Sequence, residues 1–114
     1  MMWMQVADGN LPDDLADATS SIWQYGELVR VGVMNSSMIS PPHLWLEVFQ
    51  SSQEILRQAQ HMLNELQTLI YKPLVYAETE TSRPRDAKFL TFLGFTHIDT
   101  QGSRHLFARS HKLW

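Results

Sequence analysis

The chain has 114 residues, a formal net charge of −3 at neutral pH and 44% hydrophobic residues. This length and composition predict a single domain over residues 1–114 with one packed core. The slightly acidic balance argues against nucleic-acid binding over a broad basic face. Because the chain has no cysteine, disulfides and thiolate metal sites are excluded.

No apolar run approaches the roughly 18 residues of a membrane span. The first residues, Met-Met-Trp-Met, also lack the basic start of a signal peptide. We therefore expect a soluble, intracellular protein that is not secreted by a signal peptide and does not contact a membrane.

The first half of the chain predicts strands. Residues 1–6 could form a short strand or an ordered arm, and residues 8–20 are acidic and rich in turn formers. Residues 21–34 alternate on either side of Gly26, which predicts a two-stranded hairpin. Residues 35–42 read as a loop because they end in two prolines. A third strand then covers residues 43–49.

A long amphipathic helix follows. Ser51 and Glu54 form a capping box, and the helix runs to about Tyr71. Gln67 falls among the residues assigned to its polar face. The apolar stripe consists of Ile55, Leu56, Ala59, Met62, Leu63, Leu66, Leu69 and Ile70.

The last part of the chain predicts a strand over residues 74–78, a short helix and a hairpin. Ala87, Leu90 and Leu93 recur every three residues on one helix face. Gly94 lies where a left-handed residue ends a helix. Gly102 can turn the chain between the last two strands.

The element order is three strands, a helix, a strand, a helix and two strands. It predicts an α+β fold with a mixed, mostly antiparallel sheet. The strand–helix–strand unit over residues 43–78 should be a right-handed crossover between parallel strands.

This order, with the short helix closed by Leu93-Gly94-Phe95, resembles the C-terminal half of the GNAT (GCN5-related N-acetyltransferase) fold. The resemblance covers roughly residues 20–110. It implies that the first strand and the two helices usual in the family are abbreviated within residues 1–20.

The chain is also similar to the small GNAT-like internal virion proteins of short-tailed phages. The similarity runs through Ile22-Trp-Gln-Tyr-Gly26, Trp45, residues 83–95 and the ending Leu106-Phe-Ala-Arg. It implies a role in the virion or in the host cytoplasm.

In the family, a glycine-rich loop at the start of the long helix holds the acetyl-CoA pyrophosphate on free backbone NH groups. The equivalent residues 49–54 contain no glycine, and Glu54 adds a negative charge to the first turn. We expect no cofactor in a non-catalytic protein and acetyl-CoA in an active one. The resemblance then implies cofactor contacts from Phe49, Gln50, Ser51, Ser52, Gln53, Arg83 and Phe89.

Two catalytic roles follow from the same resemblance. The tyrosine that protonates the leaving thiolate in the family falls at Leu90, which cannot donate a proton. Tyr76 is a substitute donor or else an ordinary core or ladder tyrosine. Glu47 could take a proton from an amine, or it could be an outward-facing acid or one that pairs with Arg30.

The histidines do not predict a metal site. His97 and His105 can face each other across the last hairpin, where a polar pair is expected because no cysteine or acidic cluster accompanies them.

Two functions remain open, so the sequence leaves it undecided whether the chain is an enzyme. One is a GNAT-fold protein without standard catalysis that binds a virion or host protein and could also form a homo-oligomer. The other is an acetyl-CoA-dependent N-acetyltransferase that acts on a primary amine through an atypical cofactor loop.

Overall fold

The structure is a computed structural model, and it describes residues 2–6, 19–34, 41–48 and 53–113. The chain divides into two compact units, Met1–Ser51 and Ser52–Trp114. No helix in the described ranges has the length and apolar character needed to cross a membrane.

The described residues of the first unit form four strands that pair antiparallel in chain order. They are β1 (Trp3–Val6), β2 (Thr19–Tyr25), β3 (Val29–Met34) and β4 (His43–Val48). The hairpin predicted around Gly26 is confirmed, since β2 and β3 pair on either side of this glycine, which has a φ of 57°. The short strand at the start of the chain is also confirmed.

One face of this sheet forms the core of the first unit. The register places Trp3, Tyr25, Val29 and Val31 on that face, and all four are buried. The rings of Trp3 and Tyr25 meet edge to face with their centroids 5.2 Å apart. Trp3 is only 4% exposed, so it serves as a core residue of this unit.

Gly32 allows a close approach on the other face of the same sheet. It lies on β3 directly opposite Trp45 on β4. The Trp45 indole covers Gly32 so closely that an added Cβ would overlap with the ring. The indole can therefore lie in this position only because residue 32 has no side chain.

The second unit contains two helices and three strands. They are α1 (Gln53–Ile70), β5 (Leu74–Glu80), α2 (Pro84–Phe92), β6 (Thr96–Gln101) and β7 (Arg104–Ser110). Strand β7 lies between β5 and β6 and pairs antiparallel with both. All six residues of β6 are exposed. Val75, Ala77 and Phe107 share the buried face of this sheet.

Helix α2 ends as the sequence predicts. Gly94 has a φ of 95°, and its N–H donates to the Thr91 carbonyl oxygen at 3.1 Å. The Phe95 N–H donates to the Leu90 carbonyl oxygen at 3.0 Å, which completes a Schellman motif. Phe95 is buried and covers the last turn, so the Leu-Gly-Phe ending fixes both the end of the helix and the entry into β6.

Helix α1 ends in the same motif with a tyrosine in the glycine position. Tyr71 has a φ of 57°, and its N–H donates to the Thr68 carbonyl oxygen at 3.2 Å. The Lys72 N–H donates to the Gln67 carbonyl oxygen at 3.0 Å. A left-handed backbone costs an ordinary residue about 1–2 kcal/mol. The contacts that hold this helix end must therefore offset that strain.

We predict that Gly32→Ala lowers the free energy of unfolding by about 1–3 kcal/mol, because the new methyl group displaces the Trp45 indole. The measurement is chemical denaturation of the single variant and of Gly32→Ala combined with Trp45→Ala. In the Trp45→Ala background the glycine substitution should cost almost nothing, since the overlap has been removed. Equal costs in the two backgrounds would show that the indole does not constrain position 32.

Candidate functional site

The predicted cofactor loop lies almost entirely outside the described residues, which include none of Phe49, Gln50, Ser51 and Ser52. Gln53 begins α1. The contacts proposed for these five residues, and the capping box that accompanies them, stay predictions.

Glu47 lies on a polar row of the first unit. Its side chain is exposed on β4, and its Cα pairs with that of Arg30 on β3. Arg30 in turn pairs with Gln24 on β2, and Arg30 Nη2 donates to Gln24 Oε1 at 3.2 Å. The Glu47 side chain is therefore the exposed end of a polar row whose other members, Arg30 and Gln24, are half-buried. Its proposed role as a base stays a prediction.

Tyr76 is half-buried on β5 and pairs with Ala108 on β7. Strand alternation places it on the same face as Glu78, whose Oε2 lies 3.3 Å from Arg104 Nε. This face is opposite to the one that carries the buried Val75 and Ala77. Glu47 and Tyr76 belong to different units, and the proton-donor role of Tyr76 also stays a prediction.

The start of α2 carries more positive than negative charge. Arg83 is the N-cap residue, makes no side-chain cap bond and places its Nε 3.0 Å from Asp86 Oδ2. Arg85 and Lys88 are exposed nearby, and Phe89 is half-buried in the same helix. Because a helix N-terminus favours anions, this end of α2 could attract a phosphate-bearing ligand. The cofactor contacts of Arg83 and Phe89 stay predictions.

Leu90, to which the resemblance assigns the position of the family tyrosine, lies in the hydrophobic core of the second unit. It is 4% exposed and shares that core with Leu93 and Phe95. The side chain offers no proton to a leaving group, so its role at this position is packing.

Among the described residues of the second unit, Arg109 donates three side-chain hydrogen bonds, and the sequence analysis assigned it no role. Arg109 on β7 is 4% exposed. Its Nη1 donates to Gln67 Oε1 at 2.6 Å, its Nε to the Leu93 carbonyl oxygen at 2.8 Å and its Nη2 to the Gln60 carbonyl oxygen at 2.8 Å. Burial lowers the pKa of the Arg109 guanidinium from its ordinary value, because desolvation disfavours the cation.

Gln67 extends this contact to the end of α1. It is fully buried, and its Nε2 donates to the carbonyl oxygens of Lys72 at 3.1 Å, Pro73 at 3.2 Å and Arg109 at 3.4 Å. The Arg109–Gln67 network, as we call these two residues and their acceptors, therefore holds the C-terminal ends of both helices on β7. Its role is structural, since every described acceptor of Arg109 is a neutral carbonyl or amide oxygen.

The sequence contained a signal for this network. Arg109 follows Phe107 by two residues on a strand, so alternation places it on the buried face. Gln67 follows Leu63 by four residues, which places it within the apolar stripe of α1. The assignment of Gln67 to the polar face was therefore wrong. The buried arginine makes the polar side chain necessary at that position.

His97 and His105 face each other across the β6–β7 hairpin, as predicted. Their ring centroids are 5.0 Å apart. The Thr100 hydroxyl lies between them, 2.8 Å from His97 Nε2 and 2.7 Å from His105 Nδ1. Among the described residues, no group of three or more His, Asp or Glu side chains is arranged to hold a metal.

No protein-family model and no curated protein matches this chain. Solved structures do. A chimera of the spermidine N-acetyltransferase SpeG from Vibrio cholerae and hSSAT aligns at a TM-score of 0.61 and 10% identity, over 82% of this chain and 68% of that one. The Campylobacter jejuni N-acetyltransferase PseH aligns at 0.57 and 12% identity, over 81% and 67%. The protein AAC(6')-Ib, in complex with ribostamycin and coenzyme A, aligns at 0.60 and 12% identity, over 88% and 69%.

These likenesses define the fold class of the protein. The chain has a GNAT fold, and the predicted α+β architecture with a mixed, mostly antiparallel sheet is confirmed. The chain spans about two thirds of the length of these acetyltransferases. At identities of 10–12% the likeness establishes the fold and leaves the activity to be argued from the residues.

We predict that Arg109→Met lowers the free energy of unfolding by about 2–4 kcal/mol, because buried carbonyl and amide oxygens lose their donor. The matched control is Arg104→Met on the same strand. It removes an exposed pair with Glu78 and should cost less than about 1 kcal/mol. Urea denaturation measures both variants. Similar losses in the two would show that the buried network contributes no more than a surface ion pair.

Proposed function

We propose that this protein is a GNAT-fold protein without standard acetyltransferase catalysis and that it acts by binding another protein. The absence of standard catalysis is argued from Leu90, which is buried at the position that the resemblance gives to the family's general acid. An apolar core residue cannot protonate a thiolate, so the usual last step of acetyl transfer has no donor at that position.

Two further features support the loss of standard catalysis. Residues 49–54 supply no glycine for the close approach of a pyrophosphate. Glu47 is exposed on β4 and its Cα pairs with that of Arg30 on β3, so its side chain is not enclosed among apolar residues as a buried catalytic base would be.

The second half of the proposal is supported by the edge strand β6. Every residue of β6 is exposed, and Ile98 is 50% exposed. A strand at the edge of its sheet can extend that sheet by pairing with an extended segment of another protein. We propose such a segment from a virion or host protein as the partner, in keeping with the resemblance to phage internal virion proteins. On this proposal the protein acts in the virion or in the host cytoplasm.

The alternative is an active acetyl-CoA-dependent N-acetyltransferase that acts on a primary amine. The observation in its favour is the cationic start of α2 with Arg83, Arg85 and Lys88. Two of the similar structures are complexes with this cofactor, namely PseH with acetyl coenzyme A and AAC(6')-Ib with AcetylCoA. In this case Glu47 would act as the base and Tyr76 as the proton donor.

Titration with acetyl-CoA separates the two functions. A ligand at about 100 times its dissociation constant stabilises a folded protein by about 2.7 kcal/mol, which raises the melting temperature by several degrees. We expect no change in melting temperature up to millimolar acetyl-CoA. A shift that grows with ligand concentration and is reduced by Arg83→Ala would overturn the proposal and favour the enzyme.

Partner binding through β6 is tested with Ile98→Lys, which adds a charge to the exposed edge. The matched control is Leu69→Lys on α1, where the side chain is 54% exposed. A protein that copurifies with the unaltered chain and is identified by mass spectrometry should bind Ile98→Lys at least about tenfold more weakly, a loss of about 1.4 kcal/mol. It should bind Leu69→Lys with unchanged affinity. Equal affinities for the two variants would contradict a role of the β6 edge.

A further inference from the structure

Two imidazole nitrogens converge on a single point at the β6–β7 hairpin. His97 Nε2 lies 2.8 Å from the Thr100 hydroxyl oxygen, and His105 Nδ1 lies 2.7 Å from the same oxygen. The two nitrogens are therefore at most about 5.5 Å apart. A metal ion bound to two imidazoles needs each nitrogen at about 2.1 Å, so an ion that replaced the Thr100 hydroxyl at this point would require each nitrogen to move closer by about 0.7 Å.

We propose that His97 and His105 form a two-imidazole site for a divalent transition-metal ion of the zinc, copper or nickel class. Neutral imidazole suits these ions. Calcium and magnesium prefer several oxygen ligands. The nearby carboxylate of Asp99 is already engaged, since its Oδ1 accepts from the Thr100 N–H at 2.8 Å and its Oδ2 from Gln101 Nε2 at 3.2 Å.

A buried polar side chain on the neighbouring strand β5 is a second observation at this end of the sheet. Thr79 on β5 pairs with His105 on β7, so the two side chains lie on the same face of the sheet. Thr79 is 7% exposed, and its Oγ1 has no hydrogen-bond partner within the described ranges. Buried hydroxyls without partners are rare in native proteins, and a missing ion or water is one ordinary explanation.

The site would be open and exchangeable. Each histidine would supply one nitrogen. Water would fill the remaining coordination positions of the ion, because β6 is exposed along its length. The ion would link the two strands across the register shift between His97 and Asp99. This inference does not depend on the proposed protein-binding function.

The test is isothermal titration of the full chain with zinc chloride alone, with copper and nickel salts as further probes. We expect one saturable site per chain, weakened at least about tenfold in His97→Gln and in His105→Gln, since loss of even an outer-shell partner costs about 10–100-fold. The matched control is His61→Gln, which alters an exposed histidine 3.3 Å from Glu65 and should bind as the unaltered chain does.

Proton NMR of the imidazole resonances provides the second readout, and the signals of His97 and His105 should shift together on addition of zinc. Circular dichroism checks that each variant keeps its fold. Equal affinity of the unaltered chain and the His97→Gln/His105→Gln double variant would overturn the proposal. So would loss of binding confined to His61→Gln.

Discussion

The second unit depends on a buried cation that is held by neutral oxygens. Arg109 donates to the carbonyl oxygen of Leu93, the C-cap residue of α2. It also donates to the Gln60 carbonyl oxygen in α1 and to the side-chain amide oxygen of Gln67. Gln67 in turn holds the chain where α1 leads into β5. Helix ends leave carbonyl groups without partners, and Arg109 supplies a donor to the Leu93 carbonyl at the end of α2. This contact therefore ties both helices to β7.

The same network accounts for the strained end of α1. Tyr71 adopts a left-handed backbone that glycine would adopt at lower cost. The donors of Gln67 hold the carbonyl oxygens of Lys72 and Pro73 just beyond it. The backbone strain at Tyr71 is thus offset by hydrogen bonds that a straight continuation of the helix could not form.

Most of the fold could be predicted from the sequence because hydrophobic spacing and turn residues determine it locally. The alternation around Gly26 and the Leu93-Gly94-Phe95 ending were sufficient for the hairpin and for the end of α2. Strand alternation and helix spacing place Arg109 and Gln67 on buried faces, but their pairing could not be predicted, because arginine and glutamine are residue types that are ordinarily exposed. Of the candidate site, the packing of Leu90 followed from its spacing, whereas the roles of Glu47 and Tyr76 depend on a ligand that spacing cannot reveal.

The way in which Arg109 is held also determines how this unit should respond to ionic strength. Dissolved ions screen the attraction between exposed opposite charges, such as Arg104 and Glu78. They screen a guanidinium much less when it is buried and bound by carbonyl and amide dipoles. The core of the second unit should therefore tolerate concentrated electrolyte, and added salt should weaken only its surface ion pairs.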